Sequence, residues 1–146
     1  MISQTVKIYR ELISENGFFK MTVKGTSMEP LLKDGQQILI KRVIKYRLGD
    51  CYLFRYQNRI ILHRLAGKLK NNNFLFIGDN SCKMEIIPEQ EIIGCLQEQR
   101  NYKIQKIFAV CINYLFIYIY NKFPWFGRKL YSPRKDLIKS FLKEKE

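Results

Sequence analysis

Between Phe18 and Glu98 the chain passes through six short β-prone runs, each closed off by a turn signal, and this spacing limits the fold more than any other feature. Phe18–Lys24 alternates Phe19, Met21 and Val23 against Lys20, Thr22 and Lys24. Gln36–Val43, Cys51–Tyr56, Arg59–Leu65, Phe74–Ile77 and Ile92–Glu98 follow. Between them stand Asp34-Gly35, Leu48-Gly49-Asp50, Gln57-Asn58, Lys70–Asn73 and a loop from Gly78 to Pro88. Short strands this close together predict a mainly β fold: an antiparallel sheet that curls on itself or forms a partial barrel. Ahead of it, Ile2, Val6, Ile8, Tyr9, Leu12 and Ile13 recur at helical spacing, so Met1–Glu15 is expected to be a short amphipathic helix stopped by Asn16-Gly17. A length of 146 residues sets the expected count at one domain.

The texture changes near Lys103. Ile107–Asn121 carries no charge and is rich in Ile, Phe and Tyr, with Lys103, Lys106, Lys122, Arg128 and Lys129 around it. As a helix it is short for a ~30 Å hydrocarbon core. The run admits a buried helix, a docking helix or a shallow membrane anchor, with peripheral attachment preferred and a full span, stretched through Phe123, Trp125 and Phe126, placed third. Pro133–Lys145 reads as a last basic amphipathic helix. The expected organisation is therefore a β domain with its N-terminal helix over 1–100 and a hydrophobic, basic helical tail over 101–146, dispensable for closing the sheet. The net charge is +13, and residues 101–146 hold +7 of it. Such a balance favours an anionic contact, and 103–146 is expected to meet an anionic membrane surface or a protein partner. Nucleic acid is not expected, because 26 residues ahead of Ser27 are too few for a helix-turn-helix module and a cleavable linker.

Cys51, Cys82, Cys95 and Cys111 show no paired spacing, and Met1–Ser14 lacks the apolar core of a cleaved signal segment. Reduced thiols and a cytoplasmic or membrane-peripheral location are the expectation. One histidine with scattered cysteines supplies no zinc site, and no cofactor is implied.

Three residues carry candidate chemistry. Ser27 lies in Gly25-Thr26-Ser27-Met28-Glu29-Pro30, after a strand, where Gly25 leaves room for a substrate backbone and Pro30 restricts Glu29 to extended conformations. His63, the only histidine, shares a strand face with Ile61 and Leu65. Asp79 ends a strand in Gly78-Asp79-Asn80. A serine, an imidazole and a carboxylate can make a nucleophile, its base and an orienting group. Taken singly, each also reads as an ordinary turn serine, core histidine or turn aspartate.

Taken together, these segments resemble the S24/S26 serine peptidase superfamily, which includes signal peptidase I and the self-cleaving repressors. The resemblance rests on Gly25–Pro30, Asp34-Gly35 leading into Ile38-Leu39-Ile40, Gly49–Phe54, Ile61–Gly67 and Phe76–Asn80, in family order over about residues 18–98. It implies the coiled β-sheet peptidase fold and hydrolysis of a peptide bond. The His63-Arg64 pair, where many bacterial members have a lysine base, is similar to the archaeal and endoplasmic-reticulum-type signal peptidases. Carried over, Ser27 is the nucleophile, His63 the base and Asp79 the orienting carboxylate. Thr26, Met28, Pro30, Arg64, Gly78 and Asn80 are the supporting motif positions. Lys41 is a rival base in the wrong motif. Two departures stand out: Gly25 occupies the place of a serine that helps hold the oxyanion, and no membrane-spanning segment is read before Ser27. The compact form looks like the small peptidases associated with modified ribosomal peptides. The resemblance thus implies an endopeptidase that trims a leader or signal-like segment, with a catalytically weak or inactive binding module as the alternative.

Overall fold

The computed structural model describes residues 3–97 and 103–142. Met1 and Ile2 of the expected first helix, Glu98 of the last expected strand and Lys143–Lys145 of the expected final helix lie outside these residues. Helix α1 spans Gln4–Asn16, buries Val6 and Ile13, and ends as expected at Gly17. Gly17 adopts φ 78, and its N–H donates to the carbonyl of Ile13, a left-handed helix stop that glycine adopts without strain.

Seven strands follow: β1 (Phe18–Thr22), β2 (Gln37–Lys41), β3 (Cys51–Tyr56), β4 (Arg59–Lys68), β5 (Asn73–Ile77), β6 (Met84–Pro88) and β7 (Ile92–Leu96). They form one curled antiparallel sheet in the order β1-β2-β7-β3-β4-β5-β6. Register shifts between Leu53 and Phe54 and between Leu65 and Gly67 mark bulges, which bend a strand and increase its twist. Gln57 and Asn58, both at positive φ, form the tight β3–β4 turn. Central strand β3 explains the packing. Cys51 and Leu53 point into a cluster with Val6, Ile13, Met28, Leu32, Ile38, Ile40 and Ile93. Tyr52 and Phe54 point the other way, into a cluster with Leu65, Phe74, Phe76, Ile87 and Ile92. Both faces of β3 are covered, so its first four residues are all buried. The Tyr52 hydroxyl accepts from Arg47 N–H and donates to the Lys45 carbonyl, pinning the loop before β3. Burial pushes this phenol well above its ordinary range.

Six of the seven strands match runs recognised in the sequence, Cys51–Tyr56 at both ends and the others with shifted ends. The seventh, β6, falls in the segment expected to be a loop. Its alternation does not follow hydrophobicity: Glu85 points inward beside Ile87, while Met84 and Ile86 are exposed. An inward charge on a short edge strand ending in proline hides its β character and blocks further pairing.

The tail folds as a helical hairpin, α2 (Lys103–Lys122) and α3 (Pro124–Leu142), with Pro133 inside α3 rather than at the start of a separate helix. The apolar run is two-faced. Phe116 and Ile117 are buried against Ile77, with Ala66, Cys82, Tyr120, Leu130 and Tyr131 around them. Ile107, Tyr114, Leu115 and Tyr118 face outward and are roughly half exposed or more. Among the described residues, no helix is long and apolar enough to cross a membrane.

Candidate active site

Strand β1 ends at Thr22, and the chain makes a closed excursion before returning as β2. Val23 N–H donates to the Gln36 carbonyl and Gly35 N–H to the Val23 carbonyl, which ties the base of the loop. Gly25 N–H donates to Asp34 Oδ1 at 2.7 Å. Gly25 stands at φ 90, a conformation that strains residues with a side chain; the geometry therefore suits the glycine found where a serine was the alternative. Met28 and Leu32 insert into the first core cluster, the Glu29–Pro30 bond is cis, and Pro30 is half-buried. With Met28 anchored inward, Thr26 and Ser27 are left exposed at the crest.

The Gly78-Asp79-Asn80 segment clasps this crest. Asn80 N–H donates to the Ser27 carbonyl at 2.8 Å, and Asn80 Nδ2 donates to the Thr26 carbonyl at 3.0 Å. In the β4–β5 ladder, Leu65 faces Phe76 and Arg64 faces Ile77, so one step further His63 faces Gly78. A Cβ at Gly78 would sit 2.7 Å from His63 Nε2 and 2.8 Å from the Ser27 carbonyl oxygen. Only a residue without a side chain lets the imidazole and the serine loop meet there.

His63 is 4% exposed and packs in an edge contact with Phe54. Its Nδ1 lies 2.9 Å from Glu85 Oε2. With that carboxylate accepting from Nδ1–H, the tautomer leaves Nε2 as an acceptor. Nε2 is buried and makes no hydrogen bond; the Ser27 hydroxyl does not close one in this structure. Unliganded hydrolase sites commonly show long or open catalytic hydrogen bonds.

The structure thus corrects one expected contact. Asp79 does not orient His63. It is wholly buried, and its carboxylate takes Arg64 Nε at 2.9 Å and Arg64 Nη2 at 2.6 Å as a bidentate pair. Arg64 Nη1 continues to the Gly49 carbonyl. The reason is sheet parity. Adjacent residues of a strand point to opposite faces. His63, Leu65, Phe76 and Glu85 share one face, since Leu65 pairs with Phe76 and Phe76 with Glu85. Arg64 and Ile77 share the other, and Asp79 lies on that side. Two neighbouring basic residues therefore need two separate carboxylates. Glu85 carries no motif, and its charge masks the strand it sits on, so only the sheet register places it beside His63. Lys41 is exposed on β2, paired with Phe18 and Cys95.

Behind the clasp stands the helical hairpin. Asn113 Nδ2 donates to Asp79 Oδ1 at 3.1 Å, the Tyr131 hydroxyl donates to Asn80 Oδ1, and Arg134 Nη1 donates to the Ser81 carbonyl at 3.0 Å. Arg134 lies over the Phe116 ring at 3.9 Å. Burial lowers the pKa of this guanidinium, which nevertheless stays charged. Lys106 pairs with Asp50 at 2.8 Å on the same side. The tail, expected to be an appendage, supplies polar contacts to three successive residues of the clasp.

The two carboxylates should separate in mutants. If His63 acts as a base, Glu85→Gln removes the charge that would stabilise its protonated ring, so turnover should fall substantially while the melting temperature barely moves. Asp79→Ala removes the carboxylate that pairs with a buried guanidinium and should cost about 3–5 kcal/mol of stability. Parallel thermal denaturation and steady-state kinetics check this; a stable, slow Asp79→Ala with a fully active Glu85→Gln would return the orienting role to Asp79.

Residues 2–97, roughly two thirds of the chain, match the family model described as Peptidase S24-like. No curated protein matches the chain.

Proposed function

The chain belongs to the S24-like peptidase family, and from that premise we propose that it is a serine endopeptidase that removes a leader or signal-like segment from a peptide or preprotein. The observation that supports this best is His63: one ring nitrogen on a buried carboxylate, the other unbonded against the carbonyl of an exposed serine's loop.

In the proposed cycle, Ser27 Oγ attacks the scissile carbonyl carbon as His63 Nε2 takes its proton. Glu85 holds Nδ1–H and stabilises the imidazolium. The imidazolium then protonates the leaving amine, and an acyl-enzyme remains on Ser27. Water, deprotonated by the same nitrogen, releases the acyl group and restores the serine. With Gly25 lacking a side chain, the oxyanion falls to backbone N–H groups, that of Ser27 first, with Thr26 as a helper. Asp79 and Arg64 hold the floor of the site rather than its reacting atoms.

A fluorophosphonate probe tests this reading. It should label the wild-type protein stoichiometrically, with the modified peptide mapping to Ser27, and His63→Ala should suppress labelling. A folded protein that stays unlabelled would favour a non-catalytic module that keeps the fold for binding.

The outer face of the hairpin adds a location to the proposal. Leu115, Tyr118, Phe123 and Trp125 are each more than half exposed, and Lys129 reaches over the Trp125 ring at 5.4 Å. Exposed Lys122 and Arg128 flank them. Aromatic side chains beside cations suit the headgroup region of an anionic bilayer, where each basic residue contributes about 1 kcal/mol. The protein should co-sediment with anionic liposomes at low salt, less at high salt, and Trp125→Ser should weaken binding. Failure to sediment with them would leave a protein partner as the occupant of this face.

A further inference from the structure

The hairpin lies beyond the family match, yet it reaches the serine loop through one side chain. Among the described residues, Asn113, Tyr131 and Arg134 donate to Asp79, Asn80 and Ser81, and the bond to Asn80 leads onward to Ser27. Tyr131 O–H donates to Asn80 Oδ1. That holds the oxygen end of the amide in place while Nδ2 donates to the Thr26 carbonyl and Asn80 N–H holds the Ser27 carbonyl. An amide has near-identical shape in its two flipped orientations. The Thr26 carbonyl, an acceptor only, selects the orientation that presents Nδ2 to it; without the phenol the amide keeps that preference but loses the bond that holds its oxygen end in place. Tyr131 is itself well placed. Its ring belongs to the cluster around Phe116 and Ile117, 6.1 Å from Phe116, with the Arg134 guanidinium 5.2 Å from its centroid.

We propose that Tyr131 is a positioning residue for the nucleophile, acting through the amide of Asn80 on the Thr26-Ser27 crest. This rests on the reading of Ser27 as the attacking group. Small displacements of a reacting atom are expensive in rate: a misplacement near 1 Å can cost roughly 100-fold. The tail of this chain thus sets the reactivity of a serine more than a hundred residues before it in sequence.

Tyr131→Phe is the test, because it keeps the ring and its packing and removes only the hydroxyl. The expected result is a fall of roughly 10- to 100-fold in kcat and in fluorophosphonate labelling rate, with KM and melting temperature close to wild type. Asn80→Ala should give a similar loss, and the double variant should be no slower than the worse single, since the two act in series. The Asn80 side-chain amide signal in nuclear magnetic resonance spectra should also move toward its free position in Tyr131→Phe. Wild-type labelling rates in Tyr131→Phe, or fully additive losses with Asn80→Ala, would overturn the inference. A wild-type protein that never labels, together with a displaced Asn80 signal in Tyr131→Phe, would instead remove Ser27 as nucleophile and leave the Tyr131–Asn80 link standing.

Discussion

Ser27→Ala should fold and melt like the wild type and cleave its peptide substrate slower by roughly 10⁴-fold or more. The two halves of that expectation come from different features. Stability should hold because Ser27 is exposed at the crest of its loop, and the loop's anchors are Met28, Leu32 and the backbone bonds from Asn80, none of which involve the hydroxyl. The rate should collapse because no neighbouring side chain can replace an oxygen that forms the acyl bond. His63→Ala should be nearly as slow, and the double variant no slower than either alone, because nucleophile and base act as one unit. Discontinuous assays with the three purified variants decide it. Persistent cleavage by Ser27→Ala would remove the serine mechanism, whereas losses that multiply in the double variant would show that the two side chains work independently. Lys41→Ala serves as the comparison, and its expected activity is near wild type.

Gly78→Ala should produce the second largest loss from the smallest change. The added carbon lands 2.7 Å from His63 Nε2, 2.8 Å from the Ser27 carbonyl oxygen and 3.0 Å from the Ser81 side chain. Two of these neighbours belong to the proposed nucleophile and base, and one of them is backbone, so relief requires moving the serine loop away from the imidazole. The rate should fall by roughly 100-fold or more, with a destabilisation of about 1–3 kcal/mol as for other overpacked sites. Chemical denaturation and kcat measurements on the same sample separate the two effects. Retention of full activity would mean that nucleophile and base do not meet over this glycine.

Much of this architecture is legible in the sequence because β structure writes itself with period two. Phe18–Thr22 and Cys51–Tyr56 announce their strands through alternation or continuous apolarity, and Gln57-Asn58 announces the turn between β3 and β4. The same period, carried one step further, distinguishes the faces of His63 and Arg64 and so their carboxylates. What interfered was proximity in sequence: Asp79 sits in a recognisable motif beside the serine clasp, while Glu85 sits in an edge strand whose pattern is masked by its own charge. The hairpin was illegible for a different reason. Fifteen uncharged residues say that a helix is apolar, but Asn113, the polar residue buried in its packed face, finds its partner only once the tertiary structure brings Asp79 to it.

Chain order gives the hairpin contacts a consequence in time. During synthesis at about 5–20 residues per second, N-terminal segments emerge and begin to fold first. The sheet carries Ser27, His63 and Glu85, all of which precede Gln97, whereas Tyr131 and Arg134 follow by more than thirty residues. A nascent chain therefore presents nucleophile and base for several seconds before the contacts on Asn80 and Ser81 can form. If Tyr131 positions the serine loop as proposed, any hydrolytic competence arrives late in the life of each molecule, after the sheet has closed and the second helix has left the ribosome.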